Sequence, residues 1–107
     1  MYILDGKVAV PCPELFAWGA WMQEADRRVG FDIVGPMHIS TVFLGLDHNF
    51  TDRGPPILFE TMIFDGNEDS FQRRYSTWDQ AEHGHRVAVR YARMKLHAAE
   101  RLLEVLP

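Results

Sequence analysis

The spacing of apolar residues changes period several times along the chain, and each change marks an element. Tyr2-Ile3-Leu4 and Val8-Ala9-Val10 are short apolar runs flanking Asp5-Gly6-Lys7. Asp-Gly between such runs predicts a β-hairpin, because both turn positions favour positive φ. Pro11 and Pro13 end the second run, and Pro13 suits a helix's first turn, where its missing N–H would be unpaired anyway. From there Leu15, Trp18, Met22, Ala25 and Val29 recur at three- and four-residue intervals, one stripe of a helix that Gly30 stops.

The period then shortens. Met37 to Leu46 and Ile57 to Phe64 are rich in β-branched and aromatic residues, separated by the polar, Pro- and Gly-containing stretch Asp47 to Pro56. They read as two antiparallel strands joined by a long loop. Alternation puts Leu58, Glu60, Met62 and Phe64 on one face and Phe59, Thr61 and Ile63 on the other. Asp65-Gly66-Asn67 predicts a further turn, and Phe71 to Tyr75 a third strand. Thr77, with Gln80 three residues on, has the form of a capping box opening a last helix. Its apolar stripe is Trp78, Ala81, Ala88, Val89, Ala92, Leu96, Ala99, Leu103 and Leu106, with His85 in the middle.

The order ββαβββα predicts an α+β domain: an antiparallel sheet of four to five strands, two helices packed on one face, and a long C-terminal helix. With 107 residues, 47% of them hydrophobic, the chain suits one domain spanning residues 1–107. Helical from Trp78 to Glu104, the last helix would be about 40 Å long, against a radius of gyration near 13 Å for a chain of this size. Its end, about 97–107, should therefore overhang and expose Leu102, Leu103, Val105 and Leu106 unless a second copy covers them. Homodimerisation through this helix is the preferred expectation, a tail folded back on the first helix the alternative.

Charge changes the picture less than its distribution does. The net charge of −4 argues against nonspecific nucleic-acid binding by the chain as a whole. Residues 86–107 nevertheless hold five basic and two acidic residues, a net of +3 that leaves −7 for residues 1–85. Arg86, Arg90, Arg93 and Arg101 form a basic stripe on the last helix that could dock an acidic partner or a nucleic-acid backbone, or be a solvated face. The N-terminal segment lacks the form of a signal peptide and no stretch is apolar enough for a membrane span, so a cytoplasmic protein with no membrane partner is expected. The single cysteine, Cys12, excludes an intrachain disulfide and has no activating base beside it in the sequence.

Four residues could carry chemistry. Asp47 and His48 stand where a strand meets its loop, Glu60 lies on the paired strand, and His85 points from the last helix toward the sheet. Together these side chains could hold a divalent metal or act as acid and base. A core histidine hydrogen-bonded to a strand glutamate would look the same in sequence, since buried polar groups need partners in any case. His83 and His85 diverge by about 200° on a helix and cannot grip one ion. No cofactor is predicted.

The segments Ser40-Thr41-Val42-Phe43-Leu44-Gly45-Leu46-Asp47-His48-Asn49-Phe50, Gly54-Pro55-Pro56 with Leu58-Phe59-Glu60-Thr61-Met62, and Tyr75-Ser76-Thr77-Trp78 with Ala81-Glu82 and Gly84-His85 are distinctive together. Through them the chain resembles a group of small proteins encoded in bacteriophage and prophage genomes, from the Asp5-Gly6 turn to about His85. The resemblance implies a phage or prophage accessory protein and brings with it no activity or ligand. A small binding module acting on a host protein is the leading expectation. A metal-binding protein or enzyme built on Asp47, His48, Glu60 and His85 is the alternative, and a nucleic-acid-binding module ranks last.

Overall fold

The structure, a computed structural model, describes residues 1–65 and 71–106. Tyr2–Asp5 (β1) and Val8–Pro11 (β2) form the two-stranded hairpin expected around Asp5-Gly6, with Gly6 at φ 62°. The helix α1 spans Leu15–Glu24, capped by Glu14, whose carboxylate accepts from the Phe16 and Ala17 amides. Then come Arg28–Val34 (β3), Met37–Phe43 (β4), Phe59–Phe64 (β5), Phe71–Tyr75 (β6) and the 28-residue helix Trp78–Val105 (α2). Strands β3 to β6 make one antiparallel meander in sequence order. The class is α+β, as the periodicities predict. Gly66 and Asn67 of the turn expected at Asp65-Gly66-Asn67 lie outside the described residues.

One strand differs from the sequence reading. Residues 25–34 are not the end of a helix followed by a link: α1 stops at Glu24, and β3 pairs with β4 from Arg28↔Val42 to Val34↔Met37, with a bulge before Gly30. Ala25 and Val29 continue the helical spacing of α1, but Val29, Phe31 and Ile33 also alternate, and pairing with a buried neighbour strand decides between the two periods. Asp26 turns the chain by accepting from the Arg28 amide.

The inner face of the sheet is covered by α2. Met37, Ile39, Thr41 and Phe43 of β4 and Phe59, Thr61 and Ile63 of β5 are all buried there, against Ala81, His85, Ala88, Val89 and Ala92. Small residues on the helix let it lie close. Gly84 takes this furthest, because a Cβ in its place would run into the Tyr75 ring of β6. Trp21 of α1 joins the same core edge-on to Phe43, and the Trp18 indole N–H donates to the Tyr2 and Gly45 carbonyls, tying α1 to the hairpin and to the chain beyond β4.

At about 42 Å, α2 is longer than the sheet it covers. From His97 onward every residue of the helix is exposed. Extents of 61 × 31 × 23 Å and a radius of gyration of 16.7 Å record the overhang.

Candidate functional site

The four residues singled out in the sequence lie in three places. Glu60 is on the outer face of β5, the face away from α2, where its Oε2 accepts from Arg74 Nε and Gln72 Nε2, both at 2.8 Å. Strand alternation alone puts it there: its neighbours Phe59 and Thr61 face the helix, so Glu60 cannot. Asp47 shapes the loop after β4, its Oδ1 accepting from the amides of Asn49 (2.7 Å) and Ile57 (2.9 Å). Those two backbone hydrogen bonds hold its carboxyl below the ordinary carboxylate range. His48 donates from Nδ1 to the Leu46 carbonyl at 2.8 Å and stays in the same loop. His85 is inside the core. The expected convergence of Asp47, His48, Glu60 and His85 is therefore absent from this fold, and with it the shared metal site. Among the described residues no three His, Cys, Asp or Glu side chains are grouped to hold a metal.

His85 has instead found partners that the sequence reading passed over. Its Nε2 lies 2.7 Å from Asp32 Oδ2 on β3, its Nδ1 lies 2.7 Å from Thr41 Oγ1 on β4, and Thr41 Oγ1 lies 2.5 Å from Thr61 Oγ1 on β5. Thr41 and Thr61 stand directly opposite each other in the ladder, and Gly30 stands opposite Thr41 on the other side. Gly30 is what admits the imidazole, since a Cβ there would sit 2.8–2.9 Å from three of its ring atoms. With Nε2–H donating to Asp32, Nδ1 accepts from Thr41, which accepts from Thr61. Every hydroxyl proton in that chain then has an acceptor.

The order carboxylate, imidazole, hydroxyl is that of a nucleophilic triad, but the burial is wrong for one. Thr41 and Thr61 have no exposed surface and His85 is 7% exposed, so no substrate reaches either hydroxyl. The chain of hydrogen bonds locks α2 onto three strands. Asp32 is different: its side chain is 49% exposed and opens onto the surface. There it shares a cleft of about 350 Å³ with His85, Arg86, Val89, Arg90 and Arg93.

The basic stripe of the sequence is thus split. Arg86, Arg90 and Arg93 line the cleft beside β3, whereas Arg101 stands on the overhanging turns of α2. Arg86 pairs with Glu82 at 3.3 Å; Arg90 and Arg93 have no ion pair or hydrogen bond among the described residues. His83 is exposed and His85 buried, opposite in orientation as two residues on a helix must be. A second cleft, of about 480 Å³ and mostly apolar, lies between the hairpin, Pro55-Pro56 and Trp78.

Signals for the buried chain are present in the sequence. Threonine occupies the central inward position of both Ile39-x-Thr41-x-Phe43 and Phe59-x-Thr61-x-Ile63. Two hydroxyls at matched positions of paired strands, below a histidine on an apolar stripe, announce a buried polar network. Comparison with known protein families, with curated proteins and with solved structures returns no match to the chain, so the reading of these sites rests on their own geometry.

Proposed function

We propose that the chain is a small protein-binding module, an accessory protein of phage or prophage that acts on a host protein as a homodimer, self-associating through the overhanging turns of α2. One observation carries the dimer. The stripe Val89, Ala92, Leu96, Ala99, Leu103, Leu106 has the alternating three-four spacing of a heptad seam. Val89 and Ala92 are buried on the sheet and Leu96 packs against the same cluster, but the seam then runs off its support. Leu103 is 69% exposed, and Leu102 beside it and Leu106 beyond are exposed as well. A seam of this form fits a second seam, and the one partner certain to present it is another copy of this chain. Three leucines from each copy contribute at most about 2 kcal/mol apiece, against several kcal/mol lost on association, so a micromolar dimer is expected. The accessory role and the host partner rest on the sequence resemblance.

Sedimentation equilibrium from low to high micromolar concentration tests the dimer. The expected result is a shift from 12.4 kDa toward twice that mass, abolished by Leu103→Glu with an unchanged melting temperature. A clean monomer across that range overturns it.

A further inference from the structure

The cleft between β3 and α2 combines a fixed floor with a charged wall. On the floor, the His85 ring is held by Thr41 behind it and donates to Asp32 Oδ2 in front, while Asp32 Oδ1 accepts nothing among the described residues. Along the wall, Arg86, Arg90 and Arg93 follow one another at four and three residues, which stacks them on one side of α2. Of these three guanidiniums Arg86 is engaged by Glu82, and Arg90 and Arg93 have no partner among the described residues.

We propose that this cleft binds a small phosphorylated sugar, a sugar phosphate or mononucleotide, with its phosphate on Arg90 and Arg93 and a sugar hydroxyl on Asp32. With Arg86 set against Glu82, Arg90 and Arg93 supply the two positive charges that a phosphate dianion needs, and the planar fork of arginine matches phosphate oxygens in pairs. Asp32 decides what accompanies the phosphate. A bare anion gains nothing from a carboxylate, whereas the free Oδ1 is a ready acceptor for a hydroxyl donor at the ligand's other end. The volume falls within the range of small-molecule sites. A nucleic-acid backbone fits less well, because it needs a track of cations, and here the cationic wall faces Asp32 in a body whose residues 1–85 carry −7. The cleft does not depend on self-association, so the two readings stand or fall separately.

Calorimetric titration of the full chain with ribose 5-phosphate, inorganic phosphate, ribose and a DNA duplex tests this. Ribose 5-phosphate is expected to bind about tenfold or more tightly than inorganic phosphate, with no heat from ribose. Arg90→Gln combined with Arg93→Gln should weaken ribose 5-phosphate at least about tenfold while leaving the melting temperature of the free protein unchanged. Asp32→Ala, which leaves the hydroxyl no partner, should erase the preference over inorganic phosphate. Arg101→Gln, outside the cleft, should change nothing. The proposal is overturned by an absence of binding at millimolar ribose 5-phosphate, by an equal loss in Arg101→Gln, or by a duplex that binds more tightly and loses affinity in the same arginine variants.

Discussion

At Gly30 a single hydrogen atom in place of a methyl group decides whether a histidine fits between helix and sheet. Gly30→Ala should destabilise the fold by about 1–3 kcal/mol, the cost of overpacking, because the new Cβ meets the His85 ring at 2.8–2.9 Å. Thr41→Val keeps the shape and removes the partner of Nδ1. It should cost about 1–3 kcal/mol, the penalty of a buried acceptor left unpaired, and chemical denaturation of each variant reads both values. Asp47 offers a pH test. Its carboxyl titrates lower in the folded chain than in the unfolded one, so its stabilising effect is complete above the ordinary carboxylate value and is lost as pH falls through the folded value. The melting-temperature gap between the parent and Asp47→Asn should therefore be widest near neutrality and close in acid. His85 was legible as a polar residue on a buried stripe, and a carboxylate partner followed from the need to satisfy it. Which carboxylate was not legible, because Asp32 sits on a strand hidden under a helical period, and Glu60, the nearer choice in sequence, faces the wrong way.

Whole elements were easier to read wherever one period ran unopposed. The α2 cap is an example: Thr77 accepts from the Gln80 amide while the Gln80 side chain accepts from the Thr77 amide, the reciprocal pair its spacing predicts. Thr77→Ala should cost about 1 kcal/mol, measurable by denaturation. Gly84 separates local preference from packing. Alanine is favoured over glycine inside a helix by about 1 kcal/mol, yet Gly84→Ala should destabilise, because Tyr75 occupies the space its methyl needs. Shortening the obstacle with Tyr75→Leu should make the same alanine tolerable, and a double-mutant cycle would show the coupling. The element that misled is α1. Its end at Glu24 turns on Asp26 and on the ladder of β3 with β4, and long-range pairing leaves no mark in a local window.

For the whole molecule, the sheet and the first two thirds of α2 form the body, and residues 97–106 project from it. A chain ending at Leu96 should keep its melting temperature within a few degrees, since residues 97–106 are all exposed, while its sedimentation coefficient ceases to depend on concentration. The overhang was legible from length alone: a helix of about 42 Å does not fit on strands of five to seven residues, each about 3.3 Å long.

Seated along its first two thirds and free along the last third, α2 is also a lever. Its nine helical residues from His97 to Val105 reach about 13 Å past the support, so a tilt of about 10° at the seat swings the tip by about 2 Å. The seat is where Gly30, Gly84 and a run of alanines leave only thin padding between helix and strands, and small repackings there translate directly into tilt. A probe pair spanning the body and Glu104 would therefore magnify movements beneath the helix that are too slight to register at the site where they occur.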